Sequence, residues 1–144
     1  MEAIEGKKLF DVSRAALEEL VEGFAAVAVD IGTGDGRFVY SLARVHAEWF
    51  CVGIDSARQN LREYSAKTHK KPSRGGLPAG NALYVVANIS DLPDELTGLA
   101  TRVYINFPWG SLLKAIVTGD EAVLGGLSRI SAGGATLELS LIHI

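Results

Sequence analysis

An apolar run that ends in an acid and breaks into alternating glycines constrains this chain most. Val27-Ala28-Val29-Asp30-Ile31 reads as a buried β-strand, and Gly32-Thr33-Gly34-Asp35-Gly36 reads as a tight turn opening a helix at Arg37. Glycine adopts positive φ without strain and lets backbone approach a ligand closely. The third glycine falls one residue earlier than in G-x-G-x-x-G, the fingerprint that seats a pyrophosphate on a helix N-terminus. A turn of this kind also occurs without binding anything, but a second acid argues against that reading. Trp49-Phe50-Cys51-Val52-Gly53-Ile54-Asp55 reads as a buried strand ending in a carboxylate 25 residues after Asp30. That is close to the offset of about 20 at which an acid accepts from ribose hydroxyls in nucleoside-binding folds.

The rest of the chain alternates helices and strands. Ser13 caps a predicted helix over about 14–24, with Leu17, Leu20, Val21 and Phe24 on one face. Strands are predicted over 27–31, 50–54, 83–87, 102–106 and 136–141, and helices over about 37–46, 57–69, 112–117 and 122–130. Phe38, Leu42 and Val45 form the expected inner stripe of the second helix, and Trp49 is expected in the core. Strands alternating with helices imply an α/β fold with a doubly wound, mainly parallel sheet, here as one domain over 1–144. At 48% hydrophobic and 22% charged residues the composition is that of a globular chain, and a net charge of −3 does not announce nucleic acid. The single cysteine, Cys51, reads as a small buried hydrophobe. No apolar run has transmembrane length and the N-terminus lacks signal-peptide character, so the expected compartment is the cytoplasm, with no membrane partner. No cluster has metal-ligand spacing, and His46, His69 and His143 lie in unrelated contexts.

The segment from Asp30 resembles the first motif of class I S-adenosylmethionine (SAM) methyltransferases, D-x-G-x-G-x-G, a Rossmann-like fold. Three stretches together resemble the kanamycin–apramycin resistance family of rRNA methyltransferases, which modify N1 of adenine 1408 in 16S rRNA. They are D-I-G-T-G-D-G-R at Asp30 to Arg37, G-G-L-P at Gly75 to Pro78, and N-F-P-W-G-S-L-L at Asn106 to Leu113. The resemblance implies SAM as cofactor, held by Asp30, Gly32, Thr33, Gly34, Gly36, Asp55, Ser56, Ala87, Asn88 and Asn106. It implies that Trp109 stacks on the flipped target adenine beside Asn106 and Pro108. Base–aromatic stacking contributes about 1–3 kcal/mol per base. Adenine N1 carries its own lone pair, so positioning suffices and no general base is required. The family tends to carry a glutamate where this chain has Ser90. Family members also continue past the fifth strand, so the expectation is a domain lacking its last strands and half of the target pocket.

Arg58, Arg62, Lys67, Lys70, Lys71 and Arg74 are six cations against one acid, Glu63. Such a run is either a solvated helix face or the localised patch that phosphate contacts need. In the family the corresponding linker grips rRNA, which implies the assembled 30S subunit as partner, with no obligate protein partner. Two rival functions stay open at this point: a tRNA (guanine-N7) methyltransferase, and a SAM-binding module without catalysis.

Overall fold

The computed structural model describes residues 1–106, 108 and 110–140. Strands β1 (Glu2–Glu5) and β2 (Lys8–Asp11) form an antiparallel hairpin, and α1 (Arg14–Val21) follows. Next come β3 (Ala26–Ile31), α2 (Arg37–Val45), β4 (Trp49–Asp55), α3 (Arg62–Thr68) and β5 (Ala82–Val86). The remaining elements are β6 (Ala100–Asn106), α4 (Gly110–Thr118), α5 (Glu121–Ile130) and β7 (Ser131–Ser140). One sheet holds all of these strands in the order β2-β1-β5-β4-β3-β6-β7. The pairs among β3 to β7 are parallel, and the hairpin adds to β5 antiparallel.

The chain lays β4 and β5 to one side of β3 and then crosses to place β6 on the other. That reversal opens a crevice beyond the carboxyl ends of β3 and β6, where open α/β sheets bind ligands. Both faces of the sheet are covered, so the central strands are apolar on both sides. On one face Val29, Ile31, Val52, Ile54 and Val85 pack with Leu17, Leu127 and Ile130 from α1 and α5. On the other, Ala28, Cys51, Tyr84 and Tyr104 pack with Val39, Tyr40 and Ala43 of α2 and with Leu61 and Tyr64. The alternation along each strand follows the period of two that sends successive side chains to opposite faces. Burial pushes the Cys51 thiol up to about 12, which leaves it an inert core atom as expected.

Several local expectations are corrected. The N-terminal hairpin went unforeseen, because its two strands are four residues each and carry charged ends. The expected helix over 57–69 divides into a 3-10 turn, Arg58–Leu61, and α3. The inner face of α2 is Val39, Tyr40 and Ala43, whereas Phe38 and Leu42 are half-buried and Val45 is 75% exposed. The helix is rotated because Tyr40 turns inward, where its hydroxyl donates to Gly75 O at 2.6 Å. Leu20 is likewise exposed. Trp49 is half-buried rather than a core residue: His46 stacks on it at 3.7 Å, and the Arg102 guanidinium lies over the same ring at 4.3 Å. Among the described residues no helix is long and apolar enough to cross a membrane.

The glycine turn yields a test of how the fold builds its crevice. A Cβ on Gly36 would collide with the Tyr84 ring, whereas one on Gly34 would meet nothing within 4 Å; both residues have positive φ, +82° and +64°. Gly34→Ala should therefore cost only the left-handed backbone, about 1–2 kcal/mol. Gly36→Ala should add overpacking, for a total of about 2–4 kcal/mol. Urea unfolding of the two variants checks this, and equal midpoints would show that the Tyr84 contact is not a constraint.

Candidate active site

Four loops converge on the crevice, one from the carboxyl end of each of β3, β4, β5 and β6. The loop after β3 is fixed to the end of β4 by backbone. Thr33 N donates to Ile54 O at 2.9 Å, and Gly34 N donates to Asp55 Oδ2 at 2.9 Å. Asp55 Oδ1 accepts from Ala57 N at 2.8 Å, so this carboxylate also shapes its own loop. Each oxygen keeps a lone pair for a further donor. At the start of α2, Asp35 Oδ1 accepts from Arg37 N at 2.9 Å. Tyr84 donates its hydroxyl to Gly36 O at 2.8 Å.

Asp30 lies behind the turn rather than in the open crevice, only 3% exposed. Asn106 Nδ2, at the end of neighbouring β6, donates to Asp30 Oδ1 at 3.3 Å. Burial pushes the Asp30 carboxyl up from 3.8 to about 7; the nearby Asp55 charge adds to this, and Thr33 and Asn106 oppose it. The Thr33 hydroxyl is close enough to favour the charged form, yet it is buried and has no hydrogen bond of good geometry. An ionised Asp30 is thus under-compensated, and a buried hydroxyl beside it lacks a partner. Both are features that a cationic, hydrogen-bonding ligand would satisfy.

The crevice itself is an open cleft of about 230 Å³. Of the residues expected at a binding site, Gly32, Asp55, Ser56, Ala87, Asn88 and Pro108 line it. Asp30, Thr33, Gly34, Gly36 and Asn106 are not in that lining and support it from behind. The sequence reading missed Ile89 and Leu112, which supply apolar wall. Leu112 stood inside the motif starting at Asn106, and the missing Cβ of Gly32 is what admits it: one there would sit 3.0 Å from Leu112 Cδ2. Asn88 Oδ1 accepts from both Ser90 N at 2.9 Å and Ser90 Oγ at 2.8 Å, so Ser90 turns back on its own loop. Asp55 is the only ionisable side chain lining the cleft among the described residues. Groups of residues fit to hold a metal ion are absent among them too. Trp109, expected to stack on a base, lies outside the described residues.

The basic run begins three residues after Asp55 and leads away from the cleft along α3; none of its residues lines the cleft, and Lys67 and Arg74 line a separate cavity. Arg58, Arg62, Lys70, Lys71 and Arg74 are exposed and Lys67 is half-buried. None of the six forms an ion pair among the described residues. Arg37 joins this side of the molecule, its Nε donating to the Tyr64 hydroxyl at 3.0 Å.

Comparison with known proteins bears on what this arrangement is. The family model of NpmA, 16S rRNA (adenine(1408)-N(1))-methyltransferase, matches residues 2–143. The chain belongs to this family. It is 38% identical over 135 residues to the 16S rRNA (adenine(1408)-N(1))-methyltransferase of Escherichia coli, covering 94% of this chain and 61% of that protein. It therefore spans less than two thirds of that relative's length. The crystal structure of the aminoglycoside resistance methyltransferase NpmB1 superposes with a TM-score of 0.93 at 43% identity, covering 99% of this chain and 68% of that one. A point mutant of the Catenulisporales acidiphilia 16S rRNA (adenine(1408)-N(1))-methyltransferase, solved with cosubstrate SAM, superposes with a TM-score of 0.90 at 37% identity. There the match covers 96% of this chain and 67% of that one. The α/β sheet expected from the sequence is thus the fold of NpmA-family methyltransferases, with G-G-L-P placed beside α2 rather than at the cleft.

The Asp30 environment predicts a pH signature in stability. A carboxyl raised from 3.8 in the unfolded chain to about 7 in the fold favours folding fully below pH 4 and loses that contribution as pH rises through 7. The loss amounts to about 4 kcal/mol. Asp30→Asn should match the parent near pH 4.5 and exceed it by several kcal/mol at pH 8, measured by urea unfolding. A difference independent of pH would mean that Asp30 is not a buried, raised carboxyl.

Proposed function

We propose that this protein is a SAM-dependent methyltransferase acting on N1 of adenine 1408 in 16S rRNA of the 30S subunit, a modification that confers aminoglycoside resistance. The observation that carries this reading is the meeting, at one cleft of an NpmA-family chain, of the Gly32–Gly36 turn, Asp55, Asn88 and Pro108. SAM, when bound, supplies an electrophilic methyl group on a cationic sulfonium. Asp55 has lone pairs free for ribose hydroxyls, and Ala87, Asn88 and Ile89 form the wall for an adenine ring. Asp30, Thr33 and Asn106 form the polar floor behind Gly32, where a positive charge stabilises the ionised Asp30. Gly34 and Gly36 hold the turn in place for this cleft.

The target adenine needs no base to activate it, since N1 is nucleophilic in the neutral ring. This fits a cleft whose described lining holds no histidine, cysteine or lysine. The protein contributes alignment, which can supply much of a barrier. In this reading Trp109 stacks on the extruded base next to Asn106 and Pro108, and Arg58, Arg62, Lys67, Lys70, Lys71 and Arg74 contact rRNA phosphates. Its place of work is the cytoplasm, where small subunits reside.

Primer extension on 30S subunits incubated with protein and SAM tests the assignment directly: a new stop at adenine 1408 is expected, and methyl transfer to a tRNA guanine instead would overturn it. For the cofactor, Asp30→Ala and Asp55→Ala should each weaken SAM binding by about 10- to 100-fold, as loss of a charged hydrogen bond does. Wild-type affinity should rise between pH 6 and pH 8, because a protonated Asp30 must release its proton when a cation docks. Calorimetry in two buffers of different ionisation enthalpy reads that proton. Replacing Lys67, Lys70 and Lys71 together should leave SAM binding intact and flatten the salt dependence of subunit binding.

A further inference from the structure

A second and larger cavity, about 650 Å³, shares no lining residue with the first. It lies between the carboxyl-terminal half of α2 and the segment that follows α3. Its volume falls in the range of small-molecule sites, roughly 300–1,000 Å³. Arg44, Lys67 and Arg74 line it, and among the described residues no acidic one does. Arg44 stands seven residues beyond Arg37, about 10 Å further along the helix.

The cavity is built, not incidental. The wall opposite α2 is the G-G-L-P stretch, which the cleft does not use. Gly75 is at φ +95°, and a Cβ on Gly76 would collide with the Lys70 carbonyl. Gly76 N donates to Lys71 O at 3.1 Å and Leu77 N to Thr68 O at 3.0 Å, which folds this segment back against α3. Tyr40 spans from α2 to the opposite wall through its hydroxyl bond to Gly75 O. Two cations then converge on that one ring: Lys67 Nζ is 4.8 Å and Arg44 Cζ is 5.6 Å from its centroid. Neither has an ion pair among the described residues. Cations that line one cavity with no counter-charge among the described residues make it favourable for an anion.

We propose that this cavity is a phosphate subsite for the RNA backbone, in which Arg44 of α2 acts with Lys67 and Arg74 to hold one nucleotide well away from the methyl-transfer cleft. The proposal rests on the rRNA-methyltransferase reading and extends the RNA surface beyond the basic linker onto α2. Arginine presents a planar fork that matches phosphate oxygens, and Lys67 adds a point charge opposite it. Arg44 is exposed and lies over the Tyr40 ring with no side-chain hydrogen bond or ion pair among the described residues, so substituting it spares the fold.

The test compares wild type with Arg44→Gln, Arg44→Lys and, as a control, Lys8→Gln on strand β2, a cation that does not line the cavity. Binding to 30S subunits is measured from 50 to 200 mM salt, and SAM binding by calorimetry. Arg44→Gln should reduce the slope of log affinity against log salt by about one and leave SAM affinity unchanged. Arg44→Lys should keep most of the slope, and Lys8→Gln all of it. AMP and inorganic phosphate, added alone, should bind only weakly, at millimolar levels. Wild type that binds subunits with the same slope as Arg44→Gln overturns the subsite while leaving the methyltransferase reading intact. Arg44-dependent micromolar binding of AMP, with subunit binding indifferent to Arg44, identifies a free-nucleotide pocket and overturns the RNA assignment. Wild type that fails to bind subunits sinks the broader reading, and the subsite with it.

Discussion

Everything at the cleft depends on how closely the turn after β3 packs onto β4 and β5. Two backbone donors of that turn, Thr33 N and Gly34 N, end on Ile54 O and on the Asp55 carboxylate. Gly36 lies against the Tyr84 ring with no room for a side chain, and its carbonyl accepts the Tyr84 hydroxyl. These contacts tie the start of α2 to the carboxyl ends of two neighbouring strands. They fix where Gly32 opens space for Leu112, and therefore where the wall of the cleft stands. Asp55 thus fixes the turn with the same carboxylate that lines the cleft.

Asp30 shows the opposite economy. Its carboxyl is buried beside Asn106 at the switch point, and burial pushes its pKa up to about 7. Replacing it with a neutral residue would relieve that burden in the folded state. Its presence makes physical sense where a positive charge arrives with the ligand. The unpartnered Thr33 hydroxyl next to it fits the same account. A site that is under-satisfied when empty gains most from the ligand that completes it.

Charge is distributed along the same logic. The chain is net acidic, yet eight of its fourteen Lys and Arg lie on α2, on the 3-10 turn after β4, on α3 and in the segment just after it. Tyr40 and Tyr64 organise them: Lys67 lies over both rings, Arg37 over Tyr64 and Arg44 over Tyr40. Aromatic faces hold cations in place without neutralising them. The result is concentrated positive charge, and Arg44, Lys67 and Arg74, which line the second cavity, form no ion pair among the described residues.

The sequence by itself determined the strand–turn–helix at Asp30 to Arg37, the second acid at the end of a buried strand, and the alternation that makes a parallel α/β sheet. Those features are local: glycine spacing, apolar period and capping are written in consecutive residues. It also exposed the basic run, because charge is counted without knowing the fold. Only the tertiary structure decided that Asp30 is buried against Asn106, and that Asp55 clamps Gly34. It alone placed Ile89 and Leu112 in the cleft wall and left Trp49 half-buried between His46 and Arg102. The same holds for the rotation of α2 that turns Tyr40 inward and brings Arg44 to Lys67 across a cavity. Each of these joins residues distant in the chain through packing, and packing depends on which surfaces meet, which no local pattern specifies.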